Sequence, residues 1–170
     1  MGDKKQINER ERLLYSISRF DHYFESVNNK TAVYLAMNTF LLGGIITGYI
    51  SVQEHVSQFR AFFNILLTIE MILGITGLLV LTIASIPYFS KDSDSLYYFG
   101  GIGSMTKQEL FDRSKNLSKK EEIDDLRNQV HLLSQGLNTK FTRLKTSGWL
   151  IFSQFVILAL IISILVINKF

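Results

Sequence analysis

The sequence contains no cysteine, one proline and one tryptophan in 170 residues, and long stretches of it carry no charge. Without cysteine there is no disulfide scaffold, no thiolate metal site and no thiol nucleophile, and the redox compartment stays open. The lone proline, Pro87, should end or kink a helix near Ile86, because it has no N–H to give and its ring clashes with the preceding turn. Charged residues make up 19% of the chain, below the roughly 25% of a soluble domain. The shortfall is local. Thr31–Gln53 and Thr146–Asn168 hold no charged residue, and Ala61–Ser90 holds only Glu70. The remaining 94 residues carry 32 of the 33 charges. Each uncharged window exceeds the roughly 20 apolar residues that cross a bilayer as a helix, and a soluble core cannot absorb three of them. A single-domain soluble enzyme is excluded on this ground.

Charge also sets an orientation. Sixteen of the 18 Lys and Arg residues lie before the first window or between the second and third; the other two are Arg60 and Lys169. Positive residues are retained on the cytoplasmic side during insertion, so both the N-terminus and the Lys91–Lys145 segment are expected inside, with the Val52–Arg60 turn and the C-terminus outside. Tyr34, Tyr88 and Trp149 fall where an aromatic belt would meet headgroups. The polar start, Met1–Lys30, has no continuous apolar run and does not read as a cleaved signal peptide. The net charge of +3 reflects topology rather than a nucleic-acid partner. The expected organisation is all-α: a cytoplasmic amphipathic helix (1–30), transmembrane helix 1 (31–53), an external turn (54–60), transmembrane helix 2 (61–90), a cytoplasmic helical region (91–145), transmembrane helix 3 (146–168) and an external tail (169–170).

The spans are not uniformly apolar. Asn38 and Thr47 interrupt the first, and Gly44-Ile-Ile-Thr-Gly48 has the small-xxx-small spacing that lets helix backbones approach. The second holds Asn64, Glu70, Gly74 and Gly77; the third has Gln154 as its main polar residue. An ionisable group inside a span costs about 2.5–3.5 kcal/mol at the bilayer centre on insertion scales. Glu70 therefore either lines a membrane pathway with Asn38 and Asn64, or bends toward headgroups from the outer half. Asn38 and Asn64 equally suit a mutual hydrogen bond between helices.

The two cytoplasmic segments are large enough for a small helical bundle, marginal as an independent core. Leu13, Ile17, Phe20, Phe24 and Val27 make one apolar helix face, with a possible break at Asn28-Asn29. Ile123, Leu126, Val130, Leu133, Leu137, Phe141 and Leu144 make a longer seam that runs toward the third span. This seam either packs on the first face, or passes motion into the membrane, or does both. Thr106-Lys-Gln-Glu109 and Ser118-Lys-Lys-Glu121 have capping-box spacing, and each should open a helix.

No catalytic constellation is present. His22, His55 and His131 are widely separated, and there is no His-Glu-x-x-His pair, no Gly-x-Ser-x-Gly elbow and no Gly-Lys-[Ser/Thr] phosphate loop. No enzyme activity, cofactor or metal is expected. Glu121-Glu122 and Asp124-Asp125 read as a solvated helix face, since a helix splays them. Ser95–Ser104 reads as an aromatic and glycine-rich loop. Its Gly100, Gly101 and Gly103 either turn backbone N–H groups toward an anion or form an ordinary membrane-exit turn. Its Tyr97, Tyr98 and Phe99 either stack on a base or mark the interface.

Several of these features occur together in a known order. Asn28-Asn-Lys-Thr-Ala32 leads into a span with Asn38; Tyr97–Gly101 follows the second span; Gln108-Glu-Leu-Phe111 precedes a long helix ending Leu137-Asn-Thr-Lys-Phe-Thr-Arg-Leu144. From about Phe24 onward the chain resembles the Pycsar transmembrane effector family (PycTM), small bacterial membrane proteins of anti-phage defence. The resemblance implies a neighbouring pyrimidine cyclase that makes cyclic CMP or cyclic UMP on infection, and an effector that senses the messenger and impairs the inner membrane. Lys30, Asn38, Phe99, Gly100 and Lys140 match the family pattern. Asn28 departs from it, standing where an Asp is expected before the lysine.

The expected function is thus a homo-oligomeric inner-membrane effector that binds a cyclic pyrimidine nucleotide and causes abortive infection, with the lipid bilayer, the nucleotide and its cyclase as partners. A monoanionic messenger needs a cation or a backbone nest and a face for its base. Arg113, Arg127, Lys140 and Arg143 with Tyr97, Tyr98, Phe99, Gly100, Gly101 and Gly103 are the candidates. For each cation the competing assignment is solvated helix charge or inner-leaflet contact, above all for Lys140 and Lys145. The alternative function is a structural membrane protein that recruits a cytoplasmic partner through the Ile123–Leu144 seam without binding nucleotide.

Overall fold

The computed structural model describes residues 2–53, 56–87 and 95–169; His55, Tyr88 and Lys91 lie outside them. The described residues form five α-helices and no strand: α1 (Gly2–Val52), α2 (Arg60–Ser85), α3 (Phe99–Ser104), α4 (Lys107–Asn116) and α5 (Lys119–Lys169). Three helices, α1, α2 and α5, are long and apolar enough to cross a membrane. The chain is an all-α membrane protein.

Local chemistry explains the boundaries. The α4 capping box is complete: the Glu109 N–H donates to the Thr106 hydroxyl and the Thr106 N–H donates to the Glu109 carboxylate at 2.7 Å. Ser118 and Glu121 repeat it ahead of α5, with the Ser118 N–H 2.9 Å from Glu121 Oε2. Helix α2 stops at Ser85, one residue short of extended Ile86 and two short of Pro87. At its other end Phe59 takes a left-handed φ of 58°. Asn168 fastens that turn, accepting from the Ser57 and Gln58 N–H groups at 3.1 and 2.8 Å. Two expectations are corrected. Helix α1 runs through Asn28-Asn29 without a break, since neither residue is forced out of helical geometry inside a tertiary scaffold. The Ser95–Ser104 stretch is not all loop: Phe99–Ser104 is a short helix, and Gly100, Gly101 and Gly103 all have negative φ.

The helices are shared between two compact units, Met1–Ser26 with Pro87–Thr139 and Val27–Ile86 with Lys140–Phe170. The first, polar unit has a small core of Leu13, Ile123 and Leu126, with Leu14, Ile17, Tyr97 and Val130 against it. The α1 face therefore packs on the seam of α5. The second, membrane unit has Val56, Phe63, Leu66, Ile161 and Ile164 packed together near the Asn168 end. Its outer surface is apolar as well, with Phe40, Ile50, Ile65, Ile72, Leu79, Phe152 and Ile162 all exposed. A bundle apolar inside and out needs lipid as its solvent. Hydroxyls in the spans are satisfied within their own helices: Thr39, Thr47, Thr68, Ser153 and Ser163 each donate to a carbonyl four residues back.

Candidate functional site: a polar layer inside the membrane unit

Glu70, Asn38 and Gln154 come from three different helices and are all 0% exposed. On α2, Glu70, Gly74 and Gly77 lie along one buried face, spaced four and three residues apart. The absence of side chains at the two glycines lets the other helices close in. A Cβ at Gly77 would lie 2.6 Å from Asn38 Nδ2, and one at Gly74 would lie 2.9 Å from Gln154 Nε2. Asn38 uses this proximity to donate to the Gly74 carbonyl at 2.9 Å. Gln154 is the polar neighbour of Glu70. Even so, both Glu70 carboxylate oxygens, both Gln154 amide heavy atoms and Asn38 Oδ1 lack a well-formed hydrogen bond. In an apolar interior an unpaired polar group costs roughly 1–3 kcal/mol, and more when charged, so these groups gain from any further polar partner. Glu70 is turned into the bundle and does not reach toward headgroups. Asn64 stands apart from the layer, in a groove with Ile45, Tyr49, Leu67 and Met71, so the Asn38–Asn64 hydrogen bond is not made.

The same unit carries a cationic clasp. The last turn of α2 has no basic residue of its own to meet its unpaired carbonyls. Helix α5 supplies two. Lys140 Nζ donates to the Ala84 carbonyl at 2.8 Å and to Asn28 Oδ1 at 3.1 Å, and Arg143 donates to the Ile83 carbonyl at 3.1 Å. Lys140 is buried by this arrangement and contacts protein, not headgroups. Asn28, where the resemblance implies an Asp, accepts from this lysine.

In the polar unit the carboxylates expected on a solvated face are in use. Glu122 accepts from the Tyr97 hydroxyl at 2.6 Å and from Arg10 at 2.8 Å. These two donors, Tyr97 first, hold its carboxyl below the ordinary range, while burial, with Glu122 beside it, pushes the Tyr97 phenol up. Asp125 accepts from the Leu96 N–H at 3.0 Å, and Asp124 with Glu9 holds Arg127 at 2.8 and 2.7 Å. Alongside lies an open cleft of about 990 Å³ lined by Ser95, Ser104, Arg113, Asn116, Asn128 and five carboxylates, Glu109, Asp112, Glu121, Asp124 and Asp125. The nucleotide candidates are thus dispersed. Arg113 lines the cleft, Arg127 is ion-paired, Lys140 and Arg143 belong to the other unit, and Tyr97 is tied to Glu122. The Tyr98 and Phe99 rings pack at 5.0 Å, and Gly100 accommodates the Tyr98 ring, which a Cβ there would strike. Lys30 lies in the membrane unit, in a groove with Tyr34 and Trp149. Among the described residues no group of His, Asp and Glu is disposed to hold a metal ion.

Sequence reasoning did not single out Gln154 as a partner for Glu70. The signal was available: an acid in a span demands a polar neighbour, and Gln154 is the chief polar residue of the third window.

The Pycsar effector protein domain, PycTM, matches residues 12–167, nearly the whole chain and all three long helices. The chain belongs to the Pycsar effector family. No curated protein and no solved structure matches it. As a Pycsar effector it is a membrane protein of a system in which a cyclic nucleotide and a cyclase take part.

Proposed function

We propose that the chain is the membrane-impairing arm of its defence system: it binds cyclic CMP or cyclic UMP from a partner cyclase, oligomerises, and breaches the inner membrane so that the infected cell dies before phage is released. The family match over residues 12–167 carries the reading. The two units supply what the function requires, a polar unit to read a solute and an apolar three-helix unit to act on lipid.

In this reading the N-terminus and the polar unit face the cytoplasm, where sixteen of the 18 basic residues would then lie. The messenger enters the cleft beside Ser95 and Ser104. Arg113 is the lining cation for its phosphate, and Asn116, Asn128 and the lining carboxylates accept from ribose and base donors. Ser104, the last residue of the Phe99–Ser104 helix, lines the same cleft. In the membrane, Asn38, Glu70 and Gln154 are the groups with most to gain from water, so unpacking of the bundle wets them and starts the leak. Gly44 and Gly48 have open space where side chains would stand, which suits the close approach of a helix from a second copy.

The test is dye release from proteoliposomes loaded with purified full-length protein. Cyclic CMP or cyclic UMP should release dye within minutes, and cyclic AMP should do so far less. No release with any cyclic nucleotide, from vesicles shown to contain folded protein, would sink the proposal and favour a scaffold role through the α5 seam.

A further inference from the structure

Four cations stand at the end of the membrane unit where the uncharged windows of α1 and α5 begin: Lys30, Lys140, Arg143 and Lys145. Their uses differ. Lys140 and Arg143 turn inward onto the terminal carbonyls of α2. Lys30 and Lys145 are exposed and engage no partner among the described residues. They come from different helices yet line one groove of about 560 Å³, with Tyr34, Phe141, Trp149 and Phe152 along it. Each lysine immediately precedes an uncharged window, Thr31 following one and Thr146 the other, so both stand at the level where hydrocarbon gives way to headgroups. Below them the lining is aromatic and outward-facing. Trp149 is 61% exposed and meets Phe152 edge to face at 5.8 Å. Gly148 keeps the floor shallow by admitting Tyr34, whose ring carbon would lie 3.4 Å from a Cβ there.

We propose that this groove binds an anionic glycerophospholipid, with its phosphodiester between the Lys30 and Lys145 ammonium groups and an acyl chain along Trp149 and Phe152. Charge complementarity selects the headgroup, since the groove is lined by two ammonium groups and no carboxylate, and neither lysine has an ion-pair partner among the described residues. The aromatic floor selects a lipid over a free phosphate or nucleotide: Trp149 and Phe152 lie inside the uncharged window, where acyl chains and not solutes are the neighbours. The site stands independently of the messenger cleft, which lies in the other unit.

The chain has a single tryptophan, and it lies in this groove. The full-length protein in nanodiscs of phosphatidylcholine therefore reports occupancy directly, when phosphatidylglycerol with brominated acyl chains is titrated in. Trp149 emission should be quenched at low phosphatidylglycerol mole fraction and saturate, whereas brominated phosphatidylcholine should quench only in proportion to its mole fraction. Lys30→Gln with Lys145→Gln should weaken the apparent affinity about tenfold, and Lys30→Arg with Lys145→Arg should retain it. Lys115→Gln with Lys120→Gln, which removes the same charge elsewhere, should leave it unchanged. Identical quenching by the two brominated lipids in the unaltered protein overturns the proposal, and this comparison decides even if the double glutamine variant fails to fold. Complete displacement of the lipid by soluble glycerol phosphate or by cyclic CMP also overturns it, and assigns the groove to a free phosphate.

Discussion

Taking the Lys140 ammonium away from α2 leaves the buried Ala84 carbonyl short of a donor and removes the bond to the exposed Asn28 amide oxygen. Lys140→Met keeps the bulk and removes the charge, and it should lower stability by roughly 1–3 kcal/mol, read as a lower thermal midpoint in detergent. Asn28→Asp, which puts a carboxylate beside the Lys140 ammonium, should hold or raise that midpoint. A second residue-scale expectation concerns Glu122. The Tyr97 hydroxyl and Arg10 hold its carboxyl below the ordinary 4.5, so the stabilisation is present above that value and is lost as pH falls through the lower folded pKa. Tyr97→Phe should narrow this acid sensitivity, and unfolding midpoints measured between pH 3 and pH 6 would show it. Identical acid profiles in the two proteins would mean that the pair contributes nothing. Neither arrangement was legible in the sequence. Glu122 sits 25 residues from Tyr97 and 112 from Arg10, and only tertiary placement turned an apparently solvated charge into an acceptor.

At the scale of elements the sequence was far more informative, because helix ends and faces are local properties. Thr106–Glu109, Ser118–Glu121 and Pro87 mark boundaries through bonds made within a few residues. The Leu13–Ile17 face and the Ile123–Val130 seam meet because each is an apolar stripe with no other cover. The glycines show where local reading stops. Gly44 and Gly48 have the motif spacing, yet the close approach within the chain is at Gly74 and Gly77. These pairs give opposite expectations. Gly77→Leu drives a side chain into Asn38 and should destabilise the protomer by about 1–3 kcal/mol or more. Gly48→Leu meets open space, so it should leave the protomer folded and, under the proposed function, weaken association of copies in cross-linking assays. Normal cross-linking of Gly48→Leu would place the oligomer contact elsewhere.

For the whole molecule, three uncharged windows and one intramembrane acid were visible from the start, but not that the acid would be enclosed by two other helices. Glu70→Gln removes the ionisable group while keeping its shape. Under the proposed function it should change nucleotide-triggered dye release severalfold at equal protein content; unchanged release would remove Glu70 from the pathway. The enclosure also sets an order in time. Gln154 is synthesised 84 residues after Glu70, a delay of about 4–17 s at 5–20 residues per second. Until the third span is made, the polar layer has only its Asn38 and Glu70 members. The third span therefore completes the polar layer as well as the topology.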